Sequence, residues 1–269
     1  MARMLKVLDL FSGIGGFSLG LERTGGFQTV AFCEIEPFAR RVLAKHWPGV
    51  PIHKDVRKLK GSDVGTVDVV CGGYPCQPFS LAGKRAGAED DRHLWPEMRR
   101  LVDELRPAWV IGENVAGHIS MGLDDVLSDL ESRGYAYRPF VIPALALGAP
   151  HQRYRVWIVA NTARLQPGRQ DERAIGERTG SSGESLPVAD ANGAGLESAL
   201  PQPPGENGLD CWGMPPAASW WESEPDVGRV AHGVPSRVDR LRGLGNAIVP
   251  QIPEIIGRAI LAAEAAHAA

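Results

Sequence analysis

The stretch VDVVCGGYPCQPFS, residues 67–80, decides how this chain folds. Residues 67–71 are an apolar run of strand length, and Gly72 and Gly73 break it at once. A buried strand that opens into a glycine loop is how an α/β sheet presents a reactive group at its carboxyl edge. Pro75 fixes its own φ and biases Tyr74 toward extended backbone, so the thiol of Cys76 is expected in a stiff pose. By itself such a thiol fits a buried structural cysteine as well as a nucleophile. Its companions elsewhere in the chain have to decide.

Upstream, residues 6–10 read as a short apolar strand, followed by the turn SGIGGF at 12–17 and a helix over 18–23. A second strand spans 29–33 and ends at Glu34, and residues 37–46 form a helix with Pro37 in its first turn. A short third strand lies near Ile52 and ends at Asp55. Downstream, 95–105 has helical spacing, with Met98, Leu101, Val102 and Leu105 on one face. Residues 109–111 make a fifth strand before GENV at 112–115. A helix over 123–133 closes at Gly134, and 135–141 and 156–160 are the last strands. Such alternation predicts an α/β fold, a parallel-rich, Rossmann-like sheet with helices on both faces.

Composition shifts after Ala160. Gly, Pro, Ser, Arg and Glu dominate and strand runs vanish, so 161–235 reads as a small loop-rich insert between a first domain, 1–160, and a returning segment, 236–269. In that segment Ile252, Ile255, Ile256, Ala259 and Ile260 share one helical face, which needs a partner; the first domain is the simplest.

At 269 residues and 43% hydrophobic, the chain can bury the core of one large domain. A net charge of −3 excludes a global basic field, so any nucleic-acid binding must use a local patch. Cys33, Cys71, Cys76 and Cys211 lack zinc-type spacing and have no histidine cluster beside them, so no metal site is expected. Cys33 and Cys71 fall in apolar runs and are expected to be buried and inert. The first residues lack the apolar core of a signal peptide, and no run is long enough to span a membrane; the expectation is a cytoplasmic protein.

Several groups carry chemistry. In DLFSGIGGF, 9–17, a strand followed by a glycine turn and a helix lets a ligand approach the backbone closely. Glu34 ends the next strand about twenty residues on, where an acid can accept hydrogen bonds from ribose hydroxyls. The alternative is a tight packing turn. Asp55 suits an adenine amine or a solvated loop. Glu113 sits at the same sheet edge as Cys76; an apolar setting would raise its pKa and let it donate a proton, whereas a cap or a salt bridge is the plainer role. Arg153 and Arg155, in HQRYR before a strand, suit a phosphate, a carboxylate or a base oxygen, or form a surface pair.

DLFSGIGGF, GGYPCQPFS, GENV, HQRYR and LGNAIVPQ at 244–251 stand in the order used by DNA (cytosine-5) methyltransferases, and the chain resembles a compact bacterial or phage member. The likeness covers both ends of the chain and leaves out the insert. It implies a methyltransferase that uses S-adenosyl-L-methionine and acts as a monomer on double-stranded DNA, in the setting of DNA methylation and restriction-modification. By the same resemblance the catalytic residues are Cys76, Glu113, Arg155 and Arg153. Phe11, Gly13, Ile14, Gly16, Glu34, Ile35, Asp55, Val56, Pro75, Leu94, Asn246 and Ala247 would hold the cofactor. The target base would be flipped out of the duplex. Residues 81–93, with Lys84, Arg85 and Arg92, would close over it, and the insert would read the sequence. His151 stands where the family usually has Gln, and Tyr74 where Phe or Pro is more common. A tRNA cytosine methyltransferase shares the same core chemistry and is the alternative; a dehydrogenase needs neither PCQ nor ENV.

Overall fold

A computed structural model of the chain describes residues 3–75, 94–149, 152–162 and 237–268. All of these belong to one compact unit. Cys76, the segment 81–93, His151 and the insert from 163 onward lie outside the described residues.

Seven strands form one sheet: β1 (Leu5–Leu10), β2 (Phe27–Cys33), β3 (Ile52–His53), β4 (Val69–Gly72), β5 (Trp109–Val115), β6 (Tyr135–Pro143) and β7 (Tyr154–Thr162). Their order is β3-β2-β1-β4-β5-β7-β6. The first five are parallel, and β7 inserts antiparallel between β5 and β6. Val7, Leu8 and Leu10 of β1 are fully buried, which is the pattern of a central strand covered on both faces. Helices α1 (Gly16–Arg23), α2 (Pro37–His46), α3 (Trp95–Leu105), α4 (Leu123–Ser132), α5 (Arg237–Asn246) and α6 (Gln251–Ala268), with short 3-10 turns at Gly61–Asp63, Ala116–Ser120 and Ala144–Leu147, complete the described elements.

The two faces have separate cores. Trp95, Met98, Leu101 and Val102 of α3, with Leu123, Val126 and Leu130 of α4, cover Leu8, Leu10, Val70 and Val110. Phe17 and Leu21 of α1, with Ile252, Ile256 and Ile260 of α6, cover Val7, Val69, Cys71 and Ile111. The returning segment therefore docks on the first domain. Its buried stripe repeats every four residues, whereas Ala259 is exposed and Ile255 only half-buried. Close helix contact explains the choice: a Cβ on Gly20 would sit 2.1 Å from the Pro250 carbonyl oxygen, and one on Gly257 would sit 3.1 Å from Leu21. Trp109 Nε1 donates to Glu264 Oε1 at 2.7 Å and ties α6 to β5.

Local signals placed most elements. α2 and α3 begin and end where their spacing predicts. Gly134, at φ 80°, follows α4 and its N–H donates to the Glu131 carbonyl. Four differences bear on the site. β3 ends at His53, so Asp55 lies two residues beyond the strand rather than at its end. β5 runs on through Val115, so Glu113 lies within the strand, opposite Trp157. β7 begins at Tyr154, so Arg155 is a strand residue and Arg153 precedes the strand. α5 was not expected; only three of its ten residues are apolar, and it runs into the first two residues of the GNAIVP motif.

Asp9 fastens α1 to β1. Its Oδ2 accepts from Ser18 Oγ at 2.7 Å and from the Ser18 N–H at 3.3 Å. The other oxygen is buried, with no hydrogen-bond partner among the described residues. Burial pushes this carboxyl from 3.8 up to about 7, against the lowering effect of the Ser18 hydrogen bonds. The neutral form is favoured in the folded chain. Its stabilising contribution is complete below 3.8 and is lost as pH rises through about 7. Asp9→Asn, neutral at every pH, should therefore melt progressively higher relative to the unaltered protein as pH rises from about 4 to about 8. A difference in Tm that stays constant across that range counts against a buried acid.

Candidate active site

The strand order reverses between β1 and β4, which lie side by side while their chain connections lead away to opposite edges. Ligands of open α/β sheets sit in the crevice outside the carboxyl ends of such a pair. A cavity of about 510 Å³ opens there. The carboxyl ends of β1, β2, β4 and β5 contribute Phe11 and Gly13, Glu34, Gly73 to Pro75, and Glu113 to Val115.

The glycine turn explains one end. Gly13 and Gly15 adopt φ of 53° and 89°, which side-chain-bearing residues adopt at a cost. Gly15 has a second reason, since a Cβ there would lie 2.6 Å from the Trp47 ring. The Gly13 N–H donates to Glu34 Oε2 at 2.6 Å, and the Glu36 N–H to Glu34 Oε1 at 2.7 Å. The buried Glu34 carboxylate is thus held by two backbone donors, and each oxygen keeps a further lone pair for a ligand hydroxyl. Arg40 donates to the carbonyl oxygens of Glu34 and Ile35 and steadies the same segment. Asp55 lies at the rim; hydrogen bonds from the Arg57 N–H and guanidinium hold its carboxyl below the ordinary value.

The other end is electrostatic. Glu113 Oε1 lies 3.0 Å from Arg155 Nε, with both side chains mostly buried. Burial drives the Glu113 carboxyl above its ordinary value, and the charges of Arg155 and Arg153 pull against it. A Cβ on Gly73 would sit 3.0 Å from Glu113 Oε2, so the chain leaving β4 passes the acid with no side chain between them. Arg153 takes a left-handed φ of 39° and donates to the carbonyl oxygens of Gly245 and Ala247, at 2.9 and 2.6 Å. Its guanidinium therefore braces the turn that carries Asn246. Phe11, at φ 53°, is a second cavity residue in this costly region, about 1–3 kcal/mol each.

Of the residues expected at a cofactor site, Phe11, Gly13, Ile14, Glu34, Ile35, Asp55, Val56, Pro75, Leu94 and Asn246 line the cavity. So do Glu113, Arg153 and Arg155. Gly16 and Ala247 are not among its lining residues. Gly16 lies under the Ile248 carbonyl, 2.7 Å from where its Cβ would be, and Ala247 offers its carbonyl to Arg153. Sequence reading did not nominate Phe38, Asn114 or His118, which also line the wall. Asn114, the middle letter of the ENV motif, was the one with a signal. Cys33 and Cys71 are buried, and burial raises the Cys33 thiol to about 12 and the Cys71 thiol well above its ordinary value, which leaves both as poor nucleophiles. Among the described residues, no helix is long and apolar enough to cross a membrane.

A glycine turn beside a backbone-held acid thus shares one cavity with a buried carboxyl paired with arginine. The family model of the C-5 cytosine-specific DNA methylases matches residues 5–186, and this chain belongs to that family. The Type II methyltransferase M2.BsuMI of Bacillus subtilis (strain 168) is 36% identical over 169 residues, 58% of this chain and 42% of that protein. The Type II methyltransferase M.Bsp6I of Bacillus sp. (strain RFL6) is 37% identical over 163 residues, 58% and 52% of the two chains. The match thus spans about half the length of these relatives. The crystal structure of a Spodoptera frugiperda DNMT2 variant superposes with a TM-score of 0.53 at 25% identity, over 62% of this chain and 54% of that one. The Rossmann-like α/β fold is shared.

The geometry predicts how the acid responds to its partner. Replacing Arg155 by Met removes the strongest opposing charge, so the Glu113 carboxyl should titrate at higher pH than in the unaltered protein. Carboxyl carbon NMR shifts followed against pH will read this directly; an unmoved Glu113 curve would show that the ion pair has no hold on it.

Proposed function

We propose that this chain methylates carbon 5 of a flipped-out cytosine in double-stranded DNA, with S-adenosylmethionine as donor and Cys76 as nucleophile. The observation that carries the reading is the buried Glu113, held toward its protonated form beside Arg155, in the same cavity as the Gly13 turn and Glu34.

The cavity fits the donor by its own chemistry. Its volume lies within the range of small-molecule sites, about 300–1,000 Å³. Phe11, Val56 and Leu94 offer apolar surface for a purine, Glu34 has lone pairs for ribose, and the acids Glu34 and Asp55 suit a cation. Gly13, Ile14, Ile35, Pro75 and Asn246 complete the wall. When bound, S-adenosylmethionine supplies a methyl group on a positively charged sulfur for carbon 5 to accept.

The residues of the chain prepare the base for that step. Carbon 5 of cytosine is a poor nucleophile until carbon 6 is attacked. The Cys76 thiolate bonds to carbon 6, and ring electrons shift toward nitrogen 3. Glu113 gives its proton to that nitrogen, so no anion accumulates, and the resulting carboxylate is met by Arg155. Arg155 also donates to the base oxygen. Arg153 braces the Asn246 turn from the same wall. After transfer, the carbon 5 proton leaves to solvent, the electron pair expels the Cys76 thiolate, and nitrogen 3 returns its proton to Glu113. Closure of residues 81–93 over the flipped base excludes water. The segment 161–235 supplies the groups that read the target sequence in the major groove.

Bisulfite sequencing of plasmid from expressing cells should reveal 5-methylcytosine at one recurring sequence, and Cys76→Ala should abolish it while leaving DNA binding. Methylation that persists in Cys76→Ala overturns the nucleophile; methylation of transfer RNA alone overturns the DNA substrate. Glu34→Ala frees the Gly13 N–H and removes the ribose acceptor, so calorimetry should show weaker binding of S-adenosylmethionine by ~10-fold or more, with DNA affinity retained. Equal affinity for the donor would remove Glu34 from the site.

A further inference from the structure

Tyr74 is buried, at 2% exposure, two residues before Cys76. It meets the Glu113 segment at two points. Its carbonyl oxygen accepts from Asn114 Nδ2 at 3.0 Å, and its hydroxyl forms a 2.9 Å hydrogen bond with His118 Nε2. His118 is equally buried, at 3% exposure, and sits in the short 3-10 turn Ala116–Ser120 that directly follows β5. The two rings also touch edge to face, with centroids 5.5 Å apart. The phenol ring lies close to β5: a Cβ at Gly112 would come within 3.2 Å of Tyr74 Cε1.

The same residue borders both ends of the segment 76–93. The Leu94 N–H donates to the Pro75 carbonyl at 3.4 Å, and the Trp95 ring packs on Tyr74 at 5.1 Å. Trp95 is itself anchored through Nε1 to Asp129 Oδ2 at 2.8 Å. The chain therefore leaves for residue 76 and returns at residue 94 beside one phenol ring. A hydroxyl this deeply buried is costly without a partner, and His118 supplies one. An unsubstituted ring would pack against Trp95 as well and keep the Asn114 bond; the hydroxyl adds a second directional bond to the Glu113 side.

We propose that the Tyr74–His118 hydrogen bond is a positioning device that sets the register of the chain leaving β4, just ahead of Cys76 in sequence, against the Glu113-bearing segment. The inference rests on the nucleophile and acid roles proposed above. Tyr74 and His118 touch neither reacting atom in this scheme. They act through the backbone on either side, where a shift of about 1 Å can cost roughly 100-fold in rate.

The test uses the full-length chain and a duplex with 5-fluorocytosine at its target. The rate of covalent adduct formation and the single-turnover rate of methyl transfer are read beside the affinity for S-adenosylmethionine. Tyr74→Phe keeps the ring at the cavity wall and should slow adduct formation ~10-fold or more with no comparable loss of donor affinity. His118→Leu should match it, and the double variant should lose nothing further, because both substitutions remove one bond. His118→Gln, which can still bond the hydroxyl, should recover much of the rate. Adduct formation by Tyr74→Phe at the native rate overturns the proposal, and so do additive losses in the double variant. Losses of rate and donor affinity together in all three single variants mark a packing role and also overturn it. An unaltered protein that forms no adduct and transfers no methyl group defeats the functional reading and the proposal with it; native activity with unaffected variants defeats the proposal alone.

Discussion

β1 and β4 are neighbours, yet the connections that leave them run to opposite edges of the sheet. No helix can cover the gap between their carboxyl ends. Everything at the site follows from that constraint. The gap is where Gly13 can expose its backbone, where Glu34 can reach across from β2, and where Gly73 can pass Glu113 without a side chain in the way. A continuous strand order would have placed a crossover helix over these groups.

Within the gap, the two ends are built on different physics. The Gly13 end is a hydrogen-bond scaffold, in which the Glu34 carboxylate is held by backbone N–H donors and presents fixed acceptors. The Glu113 end is a contest between desolvation, which favours the neutral acid, and two guanidiniums, which favour the anion. Burial wins, so the carboxyl sits above its ordinary value. Arg153 joins the ends mechanically, because its guanidinium grips the carbonyls of the turn that bears Asn246 while its charge bears on Glu113.

Much of this was legible in the residues because it was local. Apolar runs of strand length, Pro37 at the start of α2, and Gly134 after α4 are signals carried within a few positions. The glycine turn and Glu34 were legible as a pair because a strand-turn-helix-strand unit has a nearly constant length. The motifs identified Glu113 and Arg155, but their partnership was not: it depends on β7 entering antiparallel beside β5, which puts Trp157 opposite Glu113 and Arg155 one diagonal away. Helix α5 went unread because its few apolar residues are scattered among arginines, glycines and an acid. Asp9 went unremarked inside a motif noted for its glycines, because its burial is set by α1 folding back onto β1.

The chain by itself determined that alternating strands and helices would make a Rossmann-like sheet, and which residue types would stand at its carboxyl edge. Hydrophobic period and turn chemistry act over a few residues, so they can be read without coordinates. Only the tertiary structure decided which of those residues meet. It made Arg153 a brace for a distant turn, set Gly16 against the Ile248 carbonyl rather than in the cavity wall, and set Tyr74 against His118. Those outcomes depend on burial and on contacts between segments far apart in the chain, and no local pattern encodes them.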